Sequence, residues 1–231
     1  MIELSATGIS EARTKAIPIL AEPRGATVGG TGFLARVLGR PYLLTAGHIG
    51  QHELAVTSDW STWAPSLAAL LPDGTRLELP LFAEDPSGRT PLFHFHETGP
   101  EPGRLLDAMA LGAGHYGADL ARLEHAYGAF DLPAAMTSPG VGQRLFVFGF
   151  PTAGDAPWPQ HPTPILARTT LGTRYGYLFT EPGAGTGYSG GPVVYPDGAL
   201  AGLYFGEEAA SGNGAAVAAE AVPLLVSESP S

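Results

Sequence analysis

The sequence predicts an all-β protein, on the basis of its composition, its hydrophobic periodicity and its turn signals. Its 231 residues include 32 glycines and 22 prolines without regular spacing, which favours many short strands joined by turns. Short stretches alternate apolar and polar residues, and turn sequences such as Pro-Asp-Gly at 196–198 separate them. The predicted strands are residues 32–38, 42–45, 75–82, 91–96, 119–123, 144–150, 164–171, 175–180, 192–195, 199–205 and 215–219. Helix is predicted only for residues 105–111 and for a C-terminal segment, 219–227.

The length of the chain allows either one large hydrophobic core or two small ones. Hydrophobic residues make up 44% of the sequence, and all-β barrels of this length often form a single unit. Residues 130–139 contain two prolines and are the predicted linker between two halves. The predicted division is therefore residues 1–129 and residues 130–231.

The charge and the cysteine content exclude several classes of function. The formal net charge is −10, from 12 basic and 22 acidic residues, and no stretch clusters lysine or arginine. A surface that binds a phosphate backbone is therefore not expected, and nucleic acid is not a predicted partner. The absence of cysteine rules out disulfides, a thiol nucleophile and a thiolate metal site.

The N-terminal 23 residues carry charged side chains among short apolar patches, so the sequence as given predicts no secretory signal. No apolar run approaches the 18 or so residues that a membrane-spanning helix needs. A protein that stays off the membrane and in the cytoplasm is the expectation.

The segment Gly-Tyr-Ser-Gly-Gly-Pro at residues 187–192 is the strongest chemical signal in the chain. Glycines on both sides of Ser189 let the backbone present a nucleophilic hydroxyl beside free N–H donors. The glycine spacing also fits the nucleophile elbow of α/β-hydrolases, in which the histidine follows the serine. All seven histidines here precede Ser189, which excludes that arrangement.

Two upstream segments supply partners for the serine, in the order His, Asp, Ser. Thr-Ala-Gly-His at residues 45–48 follows an apolar run, and Asp119 begins Asp-Leu-Ala after a glycine-rich turn. Together with residues 187–194, these segments resemble the three signatures of chymotrypsin/trypsin-like serine peptidases. Residues 30–34 and 141–151 extend the resemblance, so it runs from about residue 29 to the C-terminus.

The resemblance implies two packed six-stranded antiparallel β-barrels with a short C-terminal helix. It places His48 and Asp119 in the first half and Ser189 in the second, as base, orienting acid and nucleophile. The N–H groups of Gly187 and Ser189 would form the oxyanion hole. Asp107 is the alternative acid, although its predicted helical context suits a solvated face better.

The resemblance also assigns a substrate-specificity pocket. Its base and walls would come from the segment before the serine and from the strand after it. These residues are Gly183, Ala184, Gly185, Thr186, Tyr204, Phe205, Gly206 and Glu207. Three small residues leave room without charge, so an apolar P1 side chain is expected. If Glu207 instead faces the pocket, the preference becomes Arg or Lys.

The predicted function is a serine endopeptidase that acts on a protein or peptide through an acyl-enzyme and needs no cofactor. Two alternatives stay open: a catalytically silent module that binds a peptide or a protein partner, and an esterase of the same fold. A peptidase of the cytoplasm needs restraint, by narrow specificity, by a regulatory protein or by a latent oxyanion hole. His94 and His96 form a candidate metal pair but lack a clear third ligand, so no metal is predicted.

One departure from the resemblance concerns activation. Activated trypsins carry an aspartate directly before the serine, which pairs with a newly cut N-terminus, whereas Tyr188 occupies that position here. The charge pair that shapes the oxyanion hole in those enzymes is therefore not expected in this chain.

Overall fold

A computed structural model describes residues 6–53, 55–86, 88–98, 103–132, 139–151, 163–168, 176–208 and 211–227. The helices are α1 (Ala6–Thr14), α2 (Gly47–Gln51), α3 (Ala113–Tyr127) and α4 (Val222–Ser227). The first nine strands are β1 (Ala16–Ala21), β2 (Val28–Val37), β3 (Arg40–Thr45), β4 (Ser66–Leu70), β5 (Arg76–Pro80), β6 (Phe82–Asp85), β7 (Gly88–Pro91), β8 (Met109–Gly112) and β9 (Phe130–Asp131). The remaining six are β10 (Gln143–Val147), β11 (Thr163–Arg168), β12 (Gly176–Pro182), β13 (Pro192–Val194), β14 (Leu200–Glu207) and β15 (Asn213–Ala218).

The strands form two curled sheets. The N-terminal sheet has the order β5-β4-β1-β2-β3-β8, and β9 pairs in parallel with β2, which gives seven strands. The C-terminal sheet is a closed barrel of six antiparallel strands in the order β10-β11-β12-β15-β14-β13. A separate hairpin joins β6 to β7. The predicted all-β class with two barrel-like halves and a short C-terminal helix is confirmed, with one added parallel strand in the first sheet.

Strand alternation builds the two cores. The long strand β2 pairs with β1 on one side and with β3 on the other, so both of its backbone edges are hydrogen-bonded within the sheet. The first sheet buries branched aliphatic and aromatic side chains completely, among them Ile17, Ile19, Phe33, Leu34, Leu43 and Leu44. Aromatic residues with exposed fractions of 8% or less dominate the core of the second barrel, namely Tyr177, Phe179, Tyr188 and Tyr204. Trp63 is 3% exposed and stacks on Phe93, with 5.1 Å between the ring centres.

Helix α3 is the main feature that the sequence analysis missed, because residues 119–123 were predicted as a strand. The buried residues of this helix are Tyr116, Leu120, Leu123 and Tyr127, at helical spacing along one face. The predicted strand, residues 119–123, is too short to show the helical spacing of these buried residues. The predicted helix at residues 105–111 is also wrong, because this stretch is extended and ends in β8.

The predicted linker, residues 130–139, lies partly outside the described residues. Its first two residues form β9 in the first sheet. The division between residues 129 and 130 stays a prediction. Across the described part of the chain, no helix has the length and apolar character needed to cross a membrane.

Candidate active site

His48 lies on the short helix α2, directly after strand β3 ends at Thr45. The helix ends at Gln51. The next residue, His52, takes a left-handed conformation with φ of 56° and donates its N–H to the carbonyl of His48. Ile49, the next residue, is fully buried in the core. The His48 side chain itself is 24% exposed, so it is anchored by its neighbours but still reaches the surface.

Asp107 contacts His48 at two points. Its Oδ1 accepts the backbone N–H of His48 at 2.9 Å, and its Oδ2 lies 2.8 Å from the ring atom Nδ1. An ionised carboxylate can only accept, so Nδ1 carries the proton and Nε2 is left as an acceptor. The pair therefore holds His48 in the tautomer that a general base needs.

Strand pairing brings these two residues together. β3 and β8 run antiparallel, and Thr45, at the end of β3, pairs with Met109, at the start of β8. The residues just after β3 and just before β8 therefore meet at the same edge of the sheet. His48 and Asp107 occupy these positions, and Gly47 presents no side chain to obstruct the carboxylate.

The residue against His48 is thus Asp107 and not Asp119, so the predicted acid is corrected. Asp119 lies on helix α3, at a partly exposed position between the buried residues Tyr116 and Leu120. Residues 119–123, predicted as a strand, lie within this helix, and among the described residues no hydrogen bond joins Asp119 to His48. The alternative acid of the sequence analysis makes the contact.

The environment of His48 shifts its pKa in opposing directions. Burial lowers the pKa of His48, but the negative charge of Asp107 and the hydrogen bond between them raise it. The net effect is a pKa above the ordinary value of 6.5. His48 is therefore a stronger base than a free imidazole, which suits proton abstraction.

Ser189 lies on a tight loop between β12 and β13 that is fastened to the first sheet. The Ser189 carbonyl accepts the N–H of Thr31 on β2 at 2.8 Å. The next residue, Gly190, has φ of 84°, and a Cβ there would lie 2.0 Å from the carbonyl oxygen of Thr31 and 2.9 Å from the nitrogen of Ala46. Only glycine fits this position, which seats the serine loop against the segment leading to His48.

Ser189 and His48 thus come from different sheets to the same place. Gly30 on β2 lies between the two segments. A Cβ there would be 2.3 Å from the side chain of Ile49, the residue after His48, and 3.0 Å from the Ser189 carbonyl oxygen. No hydrogen bond between the Ser189 hydroxyl and the His48 ring is found among the described residues. Such bonds are often long in unliganded sites and tighten when substrate binds.

The carbonyls of residues 187–189 accept hydrogen bonds within the protein, whereas the N–H groups predicted for an oxyanion hole donate none among the described residues. The Gly187 carbonyl accepts the Thr31 hydroxyl at 2.7 Å, and the Tyr188 carbonyl accepts the N–H of Gly191 at 2.9 Å. Within the described part of the chain, the N–H groups of Gly187 and Ser189 have no acceptor. These are the two donors predicted for an oxyanion hole.

The residues predicted for the specificity pocket lie close together. The N–H of Gly183 donates to the Gly212 carbonyl at 3.3 Å, and the N–H of Ala184 donates to the Tyr204 hydroxyl at 2.8 Å. Tyr204 is 1% exposed, so its ring supports this segment from within the barrel and is not an open wall. Phe205 is half-buried and packs against the larger hydrophobic cluster, which contains residues of both halves. Gly185 and Thr186 are exposed at the rim, and Gly206 is half-buried beside a bulge in β14.

The Glu207 side chain lies across Gly183. A Cβ built on Gly183 would be 2.1 Å from Cγ and 2.4 Å from Oε1 of Glu207. Burial raises the pKa of Tyr204 to about 12, the Ala184 N–H opposes this increase, and the negative charge of Glu207 adds to it. The carboxylate is therefore close to the segment that the sequence analysis treated as uncharged.

The histidine pair of the sequence analysis shows a different environment for each ring. His94 packs edge-on against Tyr42 at 5.6 Å between ring centres, and burial lowers its pKa, with the nearby His115 as a second cause. His96 is 9% exposed. Among the residues that the structure describes, no group of three or more His, Cys, Asp or Glu side chains could hold a metal ion.

Comparison with known proteins agrees with this architecture. A sequence model of the trypsin-like peptidase domain matches residues 30–203. A search of curated protein sequences finds no match to the chain.

Three solved structures illustrate the likeness in fold. The active form of the Rv3671c protease from M. tuberculosis is 16% identical with a TM-score of 0.59, over 97% of this chain and 85% of that one. The serine endoprotease from Yersinia pestis is 14% identical with a TM-score of 0.56, over 96% and 66%. The HtrA-type protease AlgW with a tripeptide is 19% identical with a TM-score of 0.51, over 96% and 61%. The chain therefore spans less than two thirds of AlgW.

Proposed function

The chain belongs to the family of trypsin-like peptidase domains and is a serine-type hydrolase, and we propose that it is an endopeptidase in which Ser189, His48 and Asp107 act as one unit. The observation that carries this proposal is the double contact of Asp107 with the backbone and the ring of His48. It leaves Nε2 of a base with a raised pKa free to accept a proton, beside a loop built to expose a serine.

The proposed reaction has two steps and needs only water as a second reactant. In the first, His48 takes the proton of Ser189 while Oγ bonds to the carbonyl carbon of the substrate, and His48 returns that proton to the departing amine. In the second, His48 takes a proton from water, whose oxygen bonds to the acyl carbon, and the proton returns to Ser189 as the acid product leaves.

The uncommitted N–H groups of Gly187 and Ser189 support an oxyanion hole. Negative charge develops on the substrate carbonyl oxygen in both steps, and fixed donors stabilise it without reorganising. Removal of one such donor typically costs about 2.7–4 kcal/mol of transition-state stabilisation. Gly187 has φ of 93°, a conformation that favours glycine and orients this part of the loop.

A peptide is the proposed substrate, in keeping with the tripeptide named with AlgW. For its P1 residue, the position of Glu207 favours the cationic alternative over the apolar one. An ionised carboxylate over Gly183 would pair with the head of Arg or Lys, whereas an apolar side chain would have to bury that charge unpaired. We therefore propose that the protein cleaves after basic residues.

A peptide library tests activity and P1 preference together. We expect cleavage of internal peptide bonds, with kcat/KM for Arg or Lys at P1 at least tenfold above that for Leu. Glu207→Gln should remove this preference, because it keeps the shape of the side chain and deletes its charge. The measurement is mass spectrometry of the products, followed by kinetics on matched single peptides.

Glu208→Gln is the matched control. The Glu208 carboxylate is engaged by Ser211, which donates its N–H at 2.9 Å and its hydroxyl at 2.7 Å, so this charge is directed into the turn. It should leave P1 preference unchanged. A dominant apolar P1 in the unmodified protein would disprove the role of Glu207, and hydrolysis of small esters without any peptide cleavage would identify an esterase instead.

A further inference from the structure

Thr31 is a fully buried polar residue that none of the proposed catalytic steps uses. It lies in β2 of the first sheet, and its exposed fraction is 0%. A buried threonine is unremarkable when its hydroxyl bonds within its own strand or turn. Here, the hydroxyl and the N–H of Thr31 bond to residues more than 100 positions away, and two of these partners, Gly187 and Ser189, are in the serine loop.

The two serine-loop bonds hold the residues on either side of Tyr188. The hydroxyl of Thr31 donates to the carbonyl of Gly187 at 2.7 Å, and its backbone N–H donates to the carbonyl of Ser189 at 2.8 Å. The first bond fixes the peptide group between residues 187 and 188. That group lies directly between the two peptide groups whose N–H atoms would form the oxyanion hole.

The direction of the Thr31 hydroxyl is determined by a third partner. The N–H of Phe150, which follows β10 of the second barrel, donates to the Thr31 oxygen at 3.1 Å. A hydroxyl has a single proton, and with a donor already directed at its oxygen that proton is used for Gly187. The carbonyl of Thr31 is occupied as well, since it accepts the hydroxyl of the buried Thr45 at 2.7 Å.

We propose that Thr31 is a positioning residue, whose hydroxyl keeps the Gly187 carbonyl turned away from the cleft and so holds the oxyanion hole open. This inference rests on the proposed function. Residue 188 is a buried tyrosine in the core of the second barrel and offers no carboxylate for that task. Instead of a charge pair, the neutral hydrogen bond from Thr31 in the other sheet holds the serine loop.

Loss of the hydroxyl leaves two buried polar groups without partners, the Phe150 N–H and the Gly187 carbonyl. Unpaired buried groups are costly, so the Gly187 carbonyl gains by rotating toward water in the cleft. Gly187 has no Cβ to resist that rotation. The carbonyl oxygen would then face the developing oxyanion and repel it, which affects the transition state and not substrate binding.

Thr31→Val is the principal test, because it keeps the shape of the side chain and removes the hydroxyl. We expect kcat to fall about 100-fold, the loss typical of one oxyanion donor, with KM changed less than threefold. The affinity for a peptide aldehyde, which forms a hemiacetal with the serine, should fall by the same factor. Thr31→Ser restores the hydroxyl and should keep kcat within about threefold of the unmodified protein.

Thr62→Val is the matched control for removing a buried threonine hydroxyl. Thr62 is 8% exposed and bonds with Gln51 and with the Asp59 carbonyl, away from the serine loop. It should leave kcat unchanged. Thr31→Ala is measured alongside, because it removes the hydroxyl without adding bulk. It replaces the valine variant if that variant does not fold, and the same loss of kcat is expected.

The result that overturns the inference is a kcat and an aldehyde affinity close to normal in the folded valine or alanine variant. Equal losses in the serine and valine variants overturn it as well, because the hydroxyl would then not be the cause. A failure of the proposed function is distinguishable, since the unmodified protein would then neither hydrolyse peptides nor bind the aldehyde.

Discussion

Ser189→Ala and His48→Ala are each expected to lower kcat for peptide hydrolysis by about six orders of magnitude while leaving the fold intact. The alanine at 189 removes the atom that attacks the substrate, and the alanine at 48 removes the group that takes its proton. Because the two residues act as a unit, the double variant should lose little more than either single one. Kinetics with a fluorogenic peptide, beside thermal unfolding curves, measure both quantities.

Two control variants remove a serine hydroxyl and a histidine imidazole outside the proposed site. Ser66→Ala removes a hydroxyl that donates to Glu78 on the first sheet, and His125→Ala removes an exposed imidazole on α3. Both should retain normal kcat. Retention of more than about 1% of the activity by the Ser189 or the His48 variant would show that a different group carries the reaction.

Asp107→Asn is expected to lower kcat by about four orders of magnitude. The amide can donate to Nδ1, which stabilises the tautomer with the proton on Nε2 and removes the base from the serine. Asp119→Asn should change kcat by less than threefold, because the carboxylate bonded to His48 is that of Asp107. Full activity in the Asp107 variant, with a loss in the Asp119 variant, would restore the acid that the sequence analysis favoured.

The dependence of activity on pH follows from the same contact. A general base works only when neutral, so kcat/KM should fall as pH drops through the pKa of His48, which lies above 6.5. In Asp107→Asn, the charge that raises this pKa is gone and the lowering by burial remains. The acid limb of the residual activity should therefore move to lower pH, and an unmoved limb would mean that another group titrates.

The proposed nucleophile and base, Ser189 and His48, could be predicted from the sequence because both positions depend on local backbone geometry. Gly187 and Gly190 both have positive φ, and residues 45–48 join a strand to a helix start, so short motifs report these positions. The contact of the proposed acid, Asp107, with His48 depends on strand pairing between β3 and β8, and no residue close to Asp107 in the sequence indicates this pairing. The pairing of Thr45 with Met109 is the signal that would have found it.

The helix α3 shows a second limit of the sequence reading. Buried positions at Tyr116, Leu120, Leu123 and Tyr127 follow a helical period, which the short window 119–123 is too brief to show. The role of Thr31 could not be predicted at all. It depends on bonds to Gly187 and Phe150, which are 156 and 119 residues distant in the chain.

Covalent labelling tests the central claim most directly. A fluorophosphonate probe phosphonylates an activated serine by displacing fluoride, and intact mass followed by peptide mapping locates the adduct. We predict one adduct per chain, on Ser189, and none in His48→Ala over the same time. An unlabelled chain that still cleaves peptides, or an adduct on another residue, would contradict the account.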